Sequence, residues 1–559
     1  MRRFIFVVAI CSLIIFMAGS GMTASWPPAG FTESAADQNT AFPLTKATAV
    51  TVIAPLPASC PSHPAACDKL NFLRVRHVNG PVNPSDANRI LIAQPGVLEG
   101  ASAFYNVAAN LVTRAYNEKG KFVEFWAIDR RSNCLEDMNG LRLARETGNL
   151  HDLVDYYYRN KPYHGQHFQG YIKPLSDDAK WLVEIGMEQT LKDWNEVITR
   201  GIPDPAVRQQ KVYIGGHSLG GFLTGAYACA DFDGDPTTLA DAGYNQAAGY
   251  FALDSLITSD PLLSVQAGDL VSLRNLLGKI PDGAVSLMRA GLFERFVFLP
   301  GVITPEIMHL LTGVGYAAMV APDTETDLIA YLPASDSVKG CYRFYHSRHI
   351  WDYLASKPSI YKFRYTNQAL MALFMDDNAM PINIIQASIG FFGGGSVAEK
   401  HFPFGSGGTL AIANNSGTYL KKGPLYTWIN YDKIEGAAIP NNNDGVPFTT
   451  AAKEVTDAND LARSLGALPM DFVEKYFPMR LAVESMMGSD VIVHPDGISQ
   501  RPVINIVAGD GAKLGEDQLS PDSPIIPGYN HLDVLTAAAV QNDGEPEKVT
   551  TNLLNFIFP

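Results

Sequence analysis

A serine attacks a carbonyl only when a base removes its proton and nearby donors steady the negative oxygen that forms. The chain offers such a serine in Gly215-Gly216-His217-Ser218-Leu219-Gly220-Gly221. This is a G-x-S-x-G motif between a strand-like run, Val212-Tyr213-Ile214-Gly215, and a small-residue helix, Gly220 to Ala230. The context matters more than the motif. A nucleophile on a sharp strand-to-helix turn projects its hydroxyl above the sheet, and small residues two before and two after it relieve the crowding of that turn. The helix that follows aims its positive end and free N–H groups at Ser218. The plain alternative is a Gly-rich turn with a bystander serine.

The base is expected at His531, in Pro527-Gly528-Tyr529-Asn530-His531-Leu532-Asp533-Val534, after the short apolar run Ile525-Ile526 and before the last helical segment. A carboxylate must then fix the imidazole's tautomer and stabilise its charged form. For a serine of this kind the chain order is Ser, acid, His. Asp510 fits, because it follows the strand-like Val503-Ile504-Asn505-Ile506-Val507. Asp254, directly after the run ending at Leu253, is the rival, and Glu516 and Asp517 are weaker candidates. The oxyanion requires two N–H donors. One is expected from Leu219. The other is expected from Gln94-Pro95-Gly96-Val97, with Val97 or Gly96 as donor. This chemistry requires no cofactor and no metal.

The elements that must hold these groups alternate. Thr51 to Pro55, Asn71 to Val78, Arg89 to Ala93, Phe122 to Ile128, Val212 to Gly215 and Gly249 to Leu253 read as strands, several of them short continuous apolar runs. Helical spacing occupies Ala101 to Tyr116 and 178–200. Alternation of this kind implies βαβ units and a parallel sheet. It lapses over 256–500, which mixes helical stretches such as Leu273 to Leu292 with Gly-rich loops, and it resumes at Pro502 to Ala508.

By these residues the chain resembles the α/β-hydrolase superfamily over 43–255 and 501–559. The resemblance rests on the Gln94–Val97 loop, Asp129-Arg130-Arg131, the turn at Ser218, the strand leading to Asp510 and the loop with His531. Gln94 stands where many members carry a histidine outside the catalytic set. The resemblance implies a doubly wound, mostly parallel sheet with a large inserted cap or lid at 256–500. It also implies an esterase- or lipase-like serine hydrolase that cleaves a small-molecule or lipid-like ester through an acyl-enzyme. Two other functions share the motifs: an exported peptidase or amidase, and a non-catalytic binding protein on the same scaffold.

Bulk properties bound the setting. With 559 residues, 47% hydrophobic and 18% charged, the chain has a core-forming composition and a length that implies two domains or one large insertion. A formal net charge of -14 argues against nucleic acid and anionic membranes as partners. Residues 1–22 read as a secretory signal. Met1-Arg2-Arg3 precedes an apolar run from Phe4 to Met17, and Ala18-Gly19-Ser20 supplies a cleavage site. The run is short of the roughly 20 residues of a membrane span, although an uncleaved anchor is the alternative. A secreted or periplasmic protein without a stable membrane span is expected, its oligomeric state open. Residues 21–42 read as an exposed leader, and Cys60 and Cys67 as a local disulfide.

Weaker patterns are read conservatively. Asp231-Phe232-Asp233-Gly234-Asp235 has the look of a calcium loop but lacks the later bidentate glutamate, so a solvated connection is expected. His164 with His167, and His346 with His349, have metal-like spacing without further ligands. Tyr156-Tyr157-Tyr158 either lines a lid or packs ordinarily.

Overall fold

A computed structural model describes residues 25–35, 42–261, 283–403, 408–417, 421–466, 469–515 and 518–559. The signal-like segment, the first half of the helix expected over Leu273 to Leu292, and Glu516 and Asp517 lie outside the described residues. A nine-stranded sheet organises the molecule. Its strands are β1 (Phe31–Ala35), β2 (Thr45–Ile53), β3 (Lys69–His77), β4 (Arg89–Gln94), β5 (Val123–Asp129), β6 (Val212–His217), β7 (Gly249–Leu253), β8 (Val503–Ala508) and β9 (Ile525–Ile526). Their spatial order is β1-β2-β3-β5-β4-β6-β7-β8-β9. The first four neighbours pair antiparallel. From β5 through β9 every pairing is parallel.

The sequence dictates this division. The central strands β4 and β6 carry apolar residues and glycine over Ile90–Ala93 and Val212–Gly216, buried on both faces as a parallel sheet covered by helices requires. Helix α1 (Tyr105–Lys119) covers one face, and α2 (Met187–Gly201) and α3 (Leu219–Ala228) pack on the other, where Trp194 and Tyr227 meet at 5.0 Å between ring centroids. Two readings need correction. The helix expected over 178–200 is two pieces, a 3-10 stretch Asp177–Glu184 and then α2. At the break, a Cβ on Gly186 would lie 2.3 Å from Glu484 Oε2, and that carboxylate accepts the Met187 N–H at 2.6 Å. A distant acid thus caps the second piece. The supposed leader contains β1, which adds to the sheet edge beside β2. Glu33 on β1 pairs with the buried Arg74, and the Arg74 guanidinium lies 4.4 Å over the Trp26 ring.

The expected Cys60–Cys67 bridge is not formed. Cys67 bonds Cys134, and Cys60 is free. The pairing of β3 with β5 explains this. Their antiparallel register sets Asn71 opposite Asp129, so the turn entering β3 and the turn leaving β5 meet at one end of the sheet. That brings the Cα atoms of Cys67 and Cys134 to 5.1 Å. Arg131 secures the same corner through Asp193 and the Ala54 and Cys67 carbonyls.

Residues 256–500 enter between β7 and β8. They contribute α4 (Pro305–Val320), α5 (Asn367–Met375), α6 (Ala458–Gly466) and two small sheets. Their apolar side chains continue the core on the α1 face: Leu310, Phe374 and Leu465 share one buried cluster with Leu91 and Phe125. Among the described residues no helix is long and apolar enough to cross a membrane.

Candidate active site

The sheet order builds the site. β4 and β6 are neighbours with other elements between them in sequence, and Gln94 is registered against Gly216. The loop leaving β4 therefore lies beside the turn leaving β6, in the crevice where a doubly wound sheet reverses its winding. Ser218 occupies that turn at φ 52° and ψ -117°, a strained conformation for a residue with a side chain, which costs about 1–3 kcal/mol. The glycines around it are required by space. A Cβ on Gly216 would lie 2.4 Å from the Gln94 carbonyl oxygen, and one on Gly220 2.2 Å from the same atom. The turn is held by the Ser218 N–H on Leu253 O at 3.1 Å and by the Ser255 hydroxyl on Ser218 O.

His531 is buried, and its Nδ1 bonds Asp254 Oδ2. Asp254 leaves β7 immediately, at φ 39°. Its Oδ1 accepts the Ala508 N–H and its Oδ2 the Ala512 N–H, each at 2.9 Å. Burial pushes the Asp254 carboxyl up, but the hydrogen bond and charge of His531, with those two N–H groups, outweigh burial and hold it below the ordinary carboxylate range. Asp510, expected to partner His531, does not. It is exposed, and its N–H is spent on Tyr529 O. The turn Ala508-Gly509-Asp510-Gly511-Ala512 supplies backbone instead of an acid. It wraps the Asp254 carboxylate, and Gly511 gives the room, since a Cβ there would lie 2.2 Å from Asp254 Oδ2.

Sequence reading missed a second pair. Glu99 and His217 are both buried, with His217 Nδ1 2.8 Å from Glu99 Oε1. Burial alone would discharge both. Their attraction reverses that, holding Glu99 below its ordinary range and His217 above its own. The pair ties three parts of the site together. Glu99 Oε2 accepts the Gly96 N–H at 2.6 Å, and His217 Nε2 bonds the His531 carbonyl oxygen at 2.9 Å. The two imidazole rings lie 4.3 Å apart. Burial and then the His217 charge lower the pKa of His531, against the pull of Asp254 and Glu99. The signal in the sequence was a histidine immediately before the serine and an acid just after the Gln94–Val97 loop.

The N–H groups expected to face an oxyanion differ in what they already bind. Gly96 N–H is committed to Glu99. The N–H groups of Val97 and Leu219 have no acceptor among the described residues. Arg130 binds the Pro95 carbonyl and, at 2.8 Å, the Gly96 carbonyl. In a trans peptide the N–H points opposite the C=O, so this grip turns the Val97 N–H away from Arg130. Arg130 is itself fixed by Glu474 at 2.5 Å. Beside Val97 opens a cavity of about 100 Å³ with apolar walls that include Ile303, Met308, Phe344, Phe374 and Leu532.

The sheet order with a serine on the β6 turn and a histidine after the last strand decides the architecture. This is the α/β-hydrolase fold. No protein-family model matches the chain, and no curated protein matches it. Among solved structures, the peroxisomal alpha-beta-hydrolase Lpx1 of Saccharomyces cerevisiae is 12% identical over 95% of this chain and 90% of its own, with a TM-score of 0.29. A monoglyceride lipase of the same yeast is 11% identical over 87% and 89%, with a TM-score of 0.28. An acetyl xylan esterase of Paenibacillus sp. R4 is 13% identical over 48% and 68%, with a TM-score of 0.25.

His346, His349 and the tyrosine cluster make contacts of their own. His346 bonds Tyr342 O at 2.8 Å and Tyr365 Oη at 2.9 Å, and the His349 ring stacks on His401. The Tyr156 and Tyr157 hydroxyls donate to Asp137, and the Tyr157 ring packs on Phe168 and His309, away from the cavity. The hydrolase fold thus uses the tyrosine cluster as packing.

Proposed function

We propose that the protein is a serine hydrolase that cleaves carboxylic esters with a short apolar acyl group. The observation that carries the reading is the Asp254–His531 pair, joined to the strained Ser218 turn by the Ser218 N–H on the carbonyl oxygen of Leu253, the residue before Asp254. Ser218 attacks the carbonyl carbon while His531 takes its proton. The N–H groups of Leu219 and Val97 hold the oxyanion, and Asp254 keeps the His531 Nδ1 proton in place and stabilises the imidazolium. The imidazolium returns the proton to the leaving alcohol. Water then repeats the sequence on the acyl-enzyme.

The cavity beside Val97 supports the acyl preference. Its volume of about 100 Å³ is below the roughly 150 Å³ that admits benzene in a dry apolar cavity, which suits a chain of a few carbons. Most of its wall comes from 301–473, so the inserted segment serves as the cap that selects the substrate. The Cys67–Cys134 bridge supports an oxidising compartment and hence export.

A fluorophosphonate probe should label the folded protein at Ser218, and Ser218→Ala should abolish both labelling and hydrolysis. Hydrolysis of p-nitrophenyl esters should peak at acetate or butyrate and fall sharply at octanoate. Absent labelling would sink the enzyme reading. Faster cleavage of peptide anilides than of esters would replace the esterase by an amidase.

A further inference from the structure

Each carboxylate of the candidate active site has an imidazole partner, but the members of a second buried group have none. Asp376, Asp377 and Glu454 bring carboxylate oxygens to within 4.8 Å of one another. Asp376 and Glu454 are almost inaccessible, at 0% and 1% exposure. Among the described residues none of the three has an ion-pair partner; the charge of Lys453 acts on Asp377 from an exposed position. Two oxygens in this group are buried and unbonded: Asp377 Oδ1 and Glu454 Oε2. The Oδ1 of the neighbouring Asn378, 3% exposed, is orphaned too, while its amide nitrogen is fixed by the Thr409 and Phe448 carbonyls. A fully buried glutamate that keeps one oxygen unpartnered beside two aspartates leaves a desolvation cost that no cation among the described residues offsets.

We propose that Asp376, Asp377 and Glu454 bind one calcium ion, with the unbonded side-chain oxygen of the adjacent Asn378 as a candidate further donor. The donor chemistry narrows the choice of ion, and the spacing favours calcium. All candidates are hard oxygens, with neither imidazole nor thiolate among them, which suits calcium, magnesium or manganese. The spacing fits within the about 5 Å between opposite ligands of an ion bonded at 2.3–2.6 Å. Asp376 keeps lone pairs for the ion although its oxygens accept the Asn378 and Ile389 N–H groups, each at 3.0 Å. Those bonds hold the carboxylate in place before the ion arrives.

The site adjoins the segment that carries His531. Asn530 Nδ2 donates to Asp377 Oδ2 at 3.1 Å and to Ser388 Oγ at 2.7 Å. Ser388 in turn donates to Asp533 through both its N–H and its hydroxyl. An ion on Asp377 therefore fixes one end of the 530–533 turn.

The test needs no substrate, so it stands apart from the esterase reading. EDTA-treated, dialysed protein is titrated with calcium chloride by calorimetry, and its melting is followed with and without the ion. One ion should bind, and melting should move to higher temperature. Glu454→Gln and Asp377→Asn should each weaken binding by at least about tenfold. Asp241→Asn is the control, because Asp231, Asp233 and Asp241 form a second, more exposed acidic group. It should leave the titration unchanged. The assignment is overturned if the wild-type protein binds no ion and melts alike in calcium and EDTA, as a proton shared between Asp377 and Glu454 would give. It is equally overturned if Asp241→Asn, and not Glu454→Gln, removes binding.

Discussion

Two buried groups of charged side chains are joined by the short segment 530–533. On one side, Asp254 pairs with His531 and Glu99 with His217, and the two imidazoles face each other, so each carboxylate has a partner. On the other, Asp376, Asp377 and Glu454 share one sign, and Asp377 and Glu454 each leave an oxygen unbonded. The difference separates two ways of keeping charge inside a protein. The first group is complete as folded, since each carboxylate already faces an imidazole, and it needs nothing from the solvent. The second is incomplete as folded and so responds to what the solvent supplies. Removing a member should accordingly disable the first group and relieve or unlink the second.

The largest expected effect is at Asp254. Asp254→Asn should lower kcat for ester hydrolysis by about 10⁴, the scale seen when a triad acid is neutralised, while Asp510→Asn should stay within about twofold of the parent. Steady-state assays of both variants check this, and equal losses would break the distinction between acid and cradle. Next comes Arg130, whose guanidinium is buried against Glu474. Arg130→Met leaves that carboxylate unpaired and should cost about 3–5 kcal/mol in urea unfolding. A smaller effect is expected at Cys134. The bridge closes a separation of 67 residues, and Cys134→Ser should cost about 2–4 kcal/mol by the same measurement.

The finest test concerns pH. His531 acts as a base only when neutral. Burial and the His217 charge lower its pKa, so the acid limb of kcat/KM should lie below the ordinary histidine value. His217→Gln removes one positive neighbour. Protonated His531 then becomes easier to form, so the limb should move to higher pH and the rate at pH 6 should fall severalfold, with less change at pH 8. A limb that stays in place would mean that the two rings are coupled by packing alone.

Much of this was legible in sequence because it depends on local patterns. Ser218 announces itself by a strand, a helix and glycines within a few residues, and the apolar runs of β4 to β8 declare a parallel sheet. His531 could be found from its position before the final helix. What failed was pairing at a distance. Asp510 sits after a good strand, and nothing local reveals that its turn exists to surround Asp254. Cys67 has a near neighbour in sequence at Cys60, yet sheet register carries it to Cys134. Glu99 and His217 are unremarkable separately and acquire meaning only when β4 and β6 lie side by side. The acidic group is the extreme case, since Asp377 and Glu454 meet through an inserted segment with no periodic pattern to read.

The anchoring of β1 has a practical consequence. Phe31–Ala35 forms five antiparallel pairs with β2, and Trp26 and Glu33 close over Arg74. Without this strand, β2 would present a row of unpaired N–H and C=O groups, the template on which sheets from separate molecules join. A polypeptide begun at residue 42, beyond what looks like a featureless leader, should oligomerise through that edge and elute early in gel filtration.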